Sequence, residues 1–325
     1  MGAVIDLETI RGAWQLRCGG EVVGEGAGGL ADEEAGRPCT IGTRFQAASV
    51  SKQFVAASVL LLEQRGALAL TDPVQKWWAK APQEWSAMTV GHLLQHGAGL
   101  PHWSLPGVDV TRDPPTKDEV LELVAGLPLQ SRPGERWAYS GPGFLLAATV
   151  VEAASGTPYG EFVAENVFAP LGMANTTSCV LPDPGDAAAP HHDGKRMPLV
   201  GALTALPGTA DVWTTVPDLL RYAAARDEGV LLEPETWVRM SRLRQKIEDA
   251  FALEQGARGT GYGYGLLLGT IGSRPSIYHS GDNPGYQSIL AWFPSEGCTC
   301  CVLSNEGTTA AGDVVTALFE EADLP

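Results

Sequence analysis

Ser49-Val-Ser-Lys52, continuing as Gln53-Phe-Val-Ala-Ala-Ser-Val-Leu-Leu-Leu-Glu-Gln-Arg-Gly66, is the stretch on which the fold turns. Phe54, Val55, Ser58, Leu61 and Leu62 recur three or four residues apart, so the stretch predicts a helix, and Gly66 suits its C-terminal stop. Residues 12–48 before it read differently. Short extended runs, AWQLRC and EVVGEG, are punctuated by Gly19-Gly20 and Gly28-Gly29, which predicts strands and turns. Ser49 thus sits where strands give way to a helix. Residues i and i+3 share a helical face, so Ser49 and Lys52 project together, and a helix N-terminus favours negative charge developing near Ser49.

Beyond Gly66 the pattern stays helical for a long way. Thr71-Asp-Pro opens a short helix, and Thr89 caps TVGHLLQHG, which stops at Gly97. Helices are also expected at Lys117–Ala125, over GFLLAATVVEAASG, and at Pro158–Leu171. Residues 180–212 are rich in Pro, Gly and Ala and read as a wandering loop. Thr215-x-x-Asp218 then resembles a capping box opening a helix around Leu219–Ala225. The C-terminal part returns to strands, at Tyr262–Leu268, Ser276–His279, Gln287–Phe293 and Cys298–Ser304, and ends in an amphipathic helix, Ala311–Glu321. Strands at both ends with helices between predict an α/β fold: an antiparallel sheet drawn from both chain ends, flanked by helices, plus an inserted all-helical lobe. The expectation is one unit over residues 1–325, with its sheet part in about 1–65 and 225–325 and the lobe in about 66–224.

The whole-chain numbers narrow the function. Lys plus Arg number 22 and Asp plus Glu 38, a net charge of -16, which argues against nucleic acid or anionic membrane as partners. The longest apolar runs, Val55–Leu62 and Phe144–Val151, are far short of a membrane span. The first residues, MGAVIDLETIRG, lack the basic start and apolar stretch of a secretory signal, so with Met1 as the native start the expected location is the cytoplasm. The six cysteines are then expected to be reduced. In the strand-like run CTCCVLS, Cys298 and Cys300 share one face and Cys301 takes the other, which suits small buried side chains better than a metal site. His191-His192-Asp193 has no further ligand at metal spacing nearby, so no metal is expected.

Two more triplets complete the chemistry: Tyr139-Ser-Gly141 in a Gly/Pro turn of the helical part, and His279-Ser-Gly281 at the end of a strand. A serine hydroxyl is a poor nucleophile at neutral pH and needs a base within hydrogen-bond reach. Lys52 can serve only if its ammonium is tuned. A tyrosine held between cations is expected to have its pKa lowered towards the working range, which would make Tyr139 a proton shuttle. Each residue alone is commonplace, whereas the three together, in this order and in these contexts, carry the weight.

In these features the chain resembles the serine β-lactamase and penicillin-binding superfamily, on the branch with class C β-lactamases, DD-carboxypeptidases and related esterases. The S-x-x-K element is a known signature of relatives of that group. TVGHLLQHGAGLP, Pro133-Gly-Glu, Phe168-Ala-Pro-Leu-Gly-Met173 and His279-Ser-Gly-Asp-Asn-Pro-Gly285 extend the likeness over roughly residues 40 to 305. The resemblance implies that Ser49 is acylated and that Lys52 and Tyr139 move its proton to the leaving group. It implies an oxyanion hole of the Ser49 and Asp282 backbone N–H groups. His279, Ser280 and Gly281 would line the opposite side of the cleft, with Gly281 letting substrate approach the strand backbone. No cofactor is implied, and the partner is a small-molecule acyl substrate.

Two positions depart from the family pattern. Its Tyr-x-Asn is Tyr139-Ser-Gly141 here, which removes the side chain that hydrogen-bonds an acylamino substrate. Its Lys-Thr-Gly is His279-Ser-Gly281, and a histidine only partly charged near neutrality anchors a substrate carboxylate less firmly. A histidine at that place is familiar among the DD-peptidase, aminopeptidase and esterase members. Both changes, together with the missing secretory signal, point to an intracellular esterase or amidase on a small molecule. A transacylase, a DD-peptidase or β-lactamase, and a sensor that is acylated without turnover are the alternatives. By position, the loop at 180–212 and the segment from Trp103 to Pro115 are expected to shape specificity.

Overall fold

The structure is a computed structural model, which describes residues 6–103, 115–251 and 256–324. Among the described residues, eight antiparallel strands form one sheet. Gln245–Phe251, Ala257–Tyr262, Leu267–Ile271, Arg274–Asn283, Tyr286–Phe293 and Cys298–Ser304 follow one another in space, then Gly12–Cys18 and Glu21–Gly28. The first and last parts of the chain therefore meet inside one sheet: Gly12 pairs with Ser304 and Cys18 with Cys298.

Alternation along the strands divides the core. Leu290, Cys301 and Leu303 join one cluster in which the helix Val216–Glu228 lies on the sheet and the helices Ser51–Gln64 and Gly141–Ser155 contribute the rest. Ile289, Ala291, Cys300 and Val302 face the C-terminal helix Ala311–Glu321, whose Val314, Val315, Leu318 and Phe319 cover them. Cys300 and Cys301 thus lie on opposite faces, as period-two alternation requires. The helix Ser51–Gln64 is buried through Leu62, packed against the helices Gly141–Ser155 and Pro234–Met240 and against the turn at Gly265. That all-round burial explains why its apolar residues form runs rather than a single stripe.

Several expectations need correction. The run expected as one strand at Tyr262–Leu268 is two strands joined by a tight turn. Gly265 has φ +68°, and a Cβ there would lie 3.0 Å from the Lys52 carbonyl oxygen, so only glycine lets the turn settle on the Ser51–Gln64 helix. Strand Gln245–Phe251 was not expected, because QKIEDAF is a largely polar sheet edge with little apolar alternation. The helix expected over Pro158–Leu171 is Tyr159–Val163 followed by a wider-wound turn, Ala164–Phe168. A short helix, Gly201–Ala205, interrupts the 180–212 loop. Cys18 and Cys298 form a disulfide across 280 residues of sequence, where reduced thiols were expected. Only the pairing of the first and last strands brings the two together, and no sequence spacing announces that. Cys39, Cys179, Cys300 and Cys301 remain thiols.

Candidate active site

Ser49 sits on a single tight turn, Ala48–Val50, that runs directly into the helix Ser51–Gln64. Ala48 adopts φ +48°, a left-handed conformation that costs a non-glycine residue free energy. Surrounding groups hold it there. The Ala47 N–H donates to the Val212 carbonyl at 2.8 Å, and the Ser288 hydroxyl donates to the Ala47 carbonyl at 2.7 Å. The Ser51 hydroxyl accepts from the Val212 N–H at 3.1 Å.

Gly281, on strand Arg274–Asn283, is bare for the same turn. A Cβ there would meet the Ala47 carbonyl oxygen at 2.5 Å and Ala48 Cβ at 2.8 Å. The space expected to admit substrate is thus filled by the serine turn, and glycine serves the approach of strand to turn.

The structure brings Ser49, Lys52 and Tyr139 together. Lys52 Nζ lies 3.0 Å from Ser49 Oγ, and the Tyr139 hydroxyl donates to Ser49 Oγ at 2.9 Å. Lys52 also donates to the Thr209 carbonyl at 2.7 Å, and its nitrogen stands 5.1 Å from the centre of the Tyr139 ring. Lys52 is buried, and burial pulls its amine from 10.5 down to about 7, although the Asp211 carboxylate nearby opposes the change. Near neutral pH a large fraction is therefore uncharged, with a lone pair able to take the Ser49 proton. Tyr139 behaves contrary to expectation. Burial raises its phenol above the usual value, outweighing the hydrogen bond to Ser49, so at neutral pH it rests protonated, with its proton directed at Ser49 Oγ. In this arrangement the amine is the group able to take up a proton and the phenol the group that carries one.

Asp211 is itself buried and holds its carboxyl at about 6. Burial raises it, and hydrogen bonds, first that from the Ser178 hydroxyl, pull it back. The loop at 208–212 thus supplies both a carbonyl ligand and a distant counter-charge to Lys52.

His279 is buried and makes two hydrogen bonds inside the protein. Its Nδ1 lies 2.6 Å from the Ser280 carbonyl, and its Nε2 lies 2.9 Å from the Tyr262 hydroxyl. A carbonyl can only accept, so Nδ1 carries the proton and Nε2 accepts from Tyr262. Burial first, then the charge of Lys52, push the imidazole down to about 3. His279 is therefore neutral rather than partly charged, and it braces the strand end against Tyr262.

The cleft over Ser49 encloses about 390 Å³. Strand residues Ser280, Asp282 and Asn283 line one side, and Leu203 and Ala210 from the 180–212 loop line another. Asn283 is fixed by donating to Gln46 Oε1 at 2.8 Å. His102 and Trp103 complete the wall beside Tyr139. The rest of the Trp103–Pro115 segment, residues 104–114, lies outside the described residues. Gly141 opens the helix Gly141–Ser155, with Ser140 as its N-cap. The Gly141 N–H donates to His102 Nδ1 at 3.1 Å, and the indole of Trp103 fills its side-chain space.

Sequence reading did not single out His96, Tyr262 or Asp211. His96 is buried, its Nδ1 accepts from the Ser140 N–H at 3.1 Å, and its carbonyl accepts from Ala138 N–H at 2.8 Å. It grips both flanks of Tyr139. Its place in LLQHG, within a segment similar to the family's, was the available signal. Among the described residues no cluster of three potential ligands could hold a metal. His191 is buried with Nδ1 2.9 Å from the Ala189 carbonyl, and His192 points to Asp193 instead. No helix among the described residues is long and apolar enough to cross a membrane.

A family model described as Beta-lactamase matches residues 10–322. Among curated proteins, Esterase EstB of Burkholderia gladioli is 33% identical, over 84% of this chain and 77% of its own length. Penicillin-binding protein 4* of Bacillus subtilis is 29% identical, over 89% of this chain but only 66% of its own length. Among solved structures, the D-amino acid amidase from Ochrobactrum anthropi SV3 superimposes with a TM-score of 0.83 over 97% of this chain and 94% of its own, at 24% identity. That last likeness is one of fold. With the sheet, the helical layer and the Ser49 turn in place, the chain belongs to the beta-lactamase family of serine hydrolases.

Proposed function

We propose that this protein is an esterase or amidase acting on a small acyl compound through an acyl-enzyme on Ser49. One observation carries the reading: Ser49 Oγ stands 3.0 Å from a buried amine and 2.9 Å from a protonated phenol that donates to it, at the floor of an open cleft. Ser49 Oγ attacks the substrate carbonyl as its proton passes to Lys52 Nζ. The carbonyl oxygen becomes an oxyanion, facing the backbone N–H groups of Ser49 and Asp282, where fixed donors stabilise charge most in the transition state. As the C–O or C–N bond breaks, the Tyr139 hydroxyl protonates the leaving group, and the proton held on Lys52 restores the phenol. Water then attacks the ester carbon of acyl-Ser49 by the same route in reverse. Transfer to an amine differs only in this second nucleophile.

Esterase EstB, at 33% identity, supports ester chemistry. A neutral His279 with both ring nitrogens engaged gives a substrate carboxylate no cation, which weighs against a carboxypeptidase and against β-lactams. The test is intact-protein mass spectrometry after mixing with p-nitrophenyl acetate and, separately, a fluorophosphonate. A mass increase in the native protein that vanishes in Ser49→Ala is the expected result. Ester turnover by Ser49→Ala near the native rate removes the mechanism, and stoichiometric acylation without turnover makes the protein a sensor.

A further inference from the structure

Position 141 and position 103 compete for one space. An ideal Cβ built on Gly141 would lie 2.4 Å from Trp103 Cε2 and 2.5 Å from its Cζ2 and Nε1. Real Cβ contacts do not come that close, so the indole stands where a side chain at 141 would begin. The φ of Gly141 is not in the left-handed region, so conformational freedom does not explain the glycine. Room for the indole does. The backbone at this point is committed as well, because the Gly141 N–H is spent on His102 Nδ1 at 3.1 Å. The His102 ring meets the Tyr139 ring edge to face, centroids 5.2 Å apart, which ties the indole-bearing segment to the phenol beside Ser49. Trp103 is half-buried and packs against the helical core, so the ring is a supported wall.

We propose that Trp103 is a specificity-determining residue. Together with Gly141 it makes this side of the cleft an apolar plate that accepts hydrocarbon or aryl acyl groups and rejects acyl groups carrying an amide next to the reacting carbonyl. The inference rests on the acyl-enzyme reading above. Its chemistry is direct. Leu203 and Ala210 continue the apolar lining, and an acyl chain laid between them and the indole loses water from apolar surface only. An acylamino group pressed on the same ring loses its water and finds the Gly141 N–H already taken. A polar group buried without a partner is rejected far more strongly than a methylene too many.

The experiment measures kcat/KM for two p-nitrophenyl esters, butyrate and N-acetyl-D-alaninate, and the fluorophosphonate labelling rate of Ser49 as a separate readout. The proteins are the native chain, Trp103→Ala, Gly141→Asn and the double variant Gly141→Asn/Trp103→Ala. The native chain is expected to prefer butyrate. Trp103→Ala should shift the butyrate-to-acylamino ratio towards the acylamino ester by about tenfold or more. Gly141→Asn alone should slow both esters, because the new side chain displaces the indole. Adding Trp103→Ala should restore activity, and on the acylamino ester beyond the native level, a non-additivity that independent structural damage does not produce. An unchanged ratio in Trp103→Ala with normal fluorophosphonate labelling overturns the proposal and leaves the acyl-enzyme intact. So does a double variant no better than Gly141→Asn. Absence of fluorophosphonate labelling in the native chain overturns both.

Discussion

Replacing Lys52 by methionine should make the protein more stable at pH 7 while abolishing its chemistry. Lys52 is buried, and its amine sits at about 7 instead of 10.5. At 1.36 kcal/mol per pH unit, holding an uncharged lysine there at pH 7 costs about 5 kcal/mol of folding free energy. Methionine has similar length and no charge to desolvate. The substitution also strands the Thr209 carbonyl that Lys52 satisfies at 2.7 Å, an opposing loss of about 1–3 kcal/mol. The net expectation at pH 7 is a gain of about 2–4 kcal/mol, or roughly 3–6 °C in Tm for a chain of this size. The pH dependence is the sharper signature. A basic group depressed on folding leaves the unfolded chain holding more protons, so native stability is lost as pH falls from 10.5 to about 7 and the loss is complete below that. Lys52→Met has no such term. Urea unfolding of both proteins between pH 7 and 10 should therefore show the variant's advantage shrinking and reversing as pH rises, by several kcal/mol in all. Other titrating groups cancel in the difference. A difference that stays flat over that range, or a variant less stable at pH 7, refutes the claim that the lysine is held in a depressed state.

The same amine predicts that kcat/KM for an activated ester climbs through an apparent pKa near 7 and stays level above it, since protonated Lys52 cannot take the Ser49 proton. Asp211→Asn removes the carboxylate that opposes this depression, so the acid limb of that profile should move to lower pH; a limb that stays put removes Asp211 from the electrostatics of the site. Tyr139→Phe deletes the acid at 2.9 Å from Ser49 Oγ, and kcat should fall about 10²–10⁴-fold with KM little changed, measured with an ester whose leaving group needs protonation. Alkylation of the denatured native protein without reductant should modify the four thiols Cys39, Cys179, Cys300 and Cys301, with Cys18 and Cys298 joining only after reduction; six modified residues without reductant would mean that the bridge does not form in the protein as made.

The parts legible in the sequence are those that local patterning specifies. Helix Lys117–Ala125 begins at its Thr116 cap, helix Ala311–Glu321 lies where its amphipathic periodicity places it, and Thr215 caps helix Val216–Glu228 by accepting from the Asp218 N–H. Ser49 and Lys52 meet because three residues of a tight helical turn bring them to one face. Tyr139 reaches them over 90 residues, and no spacing encodes that distance; the order of the motifs did. Burial is the less legible quantity. The phenol was expected to be acidified by cations, but the amine beside it is itself half-neutralised by burial, and desolvation dominates both groups in opposite chemical senses. The Cys18–Cys298 bridge and the Gln245–Phe251 edge were invisible for another reason, since both are consequences of which strands become neighbours.

His279 lines the cleft over Ser49, but in a charge state the sequence does not suggest. On the sequence it is a partly charged imidazole that anchors a substrate's carboxylate weakly. In the fold its Nδ1 proton is held by the next residue's carbonyl and its Nε2 lone pair by Tyr262, and removing it from water leaves it neutral down to about pH 3. Tyr262 in turn lies against His96, ring centroids 4.7 Å apart, and His96 accepts from the Ser140 N–H beside Tyr139. The histidine on the strand and the tyrosine on the helix cap are therefore two ends of one packed line, His279–Tyr262–His96–Ser140. That line sets the width of the cleft between the strand carrying Asp282 and the phenol over Ser49. A charge at position 279 would have to be desolvated beside Lys52, whose own amine is held near neutrality because charge there is disfavoured. The departure from lysine at 279 and the depressed amine at 52 are in this sense one adaptation. A cleft that keeps its base neutral without a second cation is suited to acyl groups that bring no carboxylate of their own.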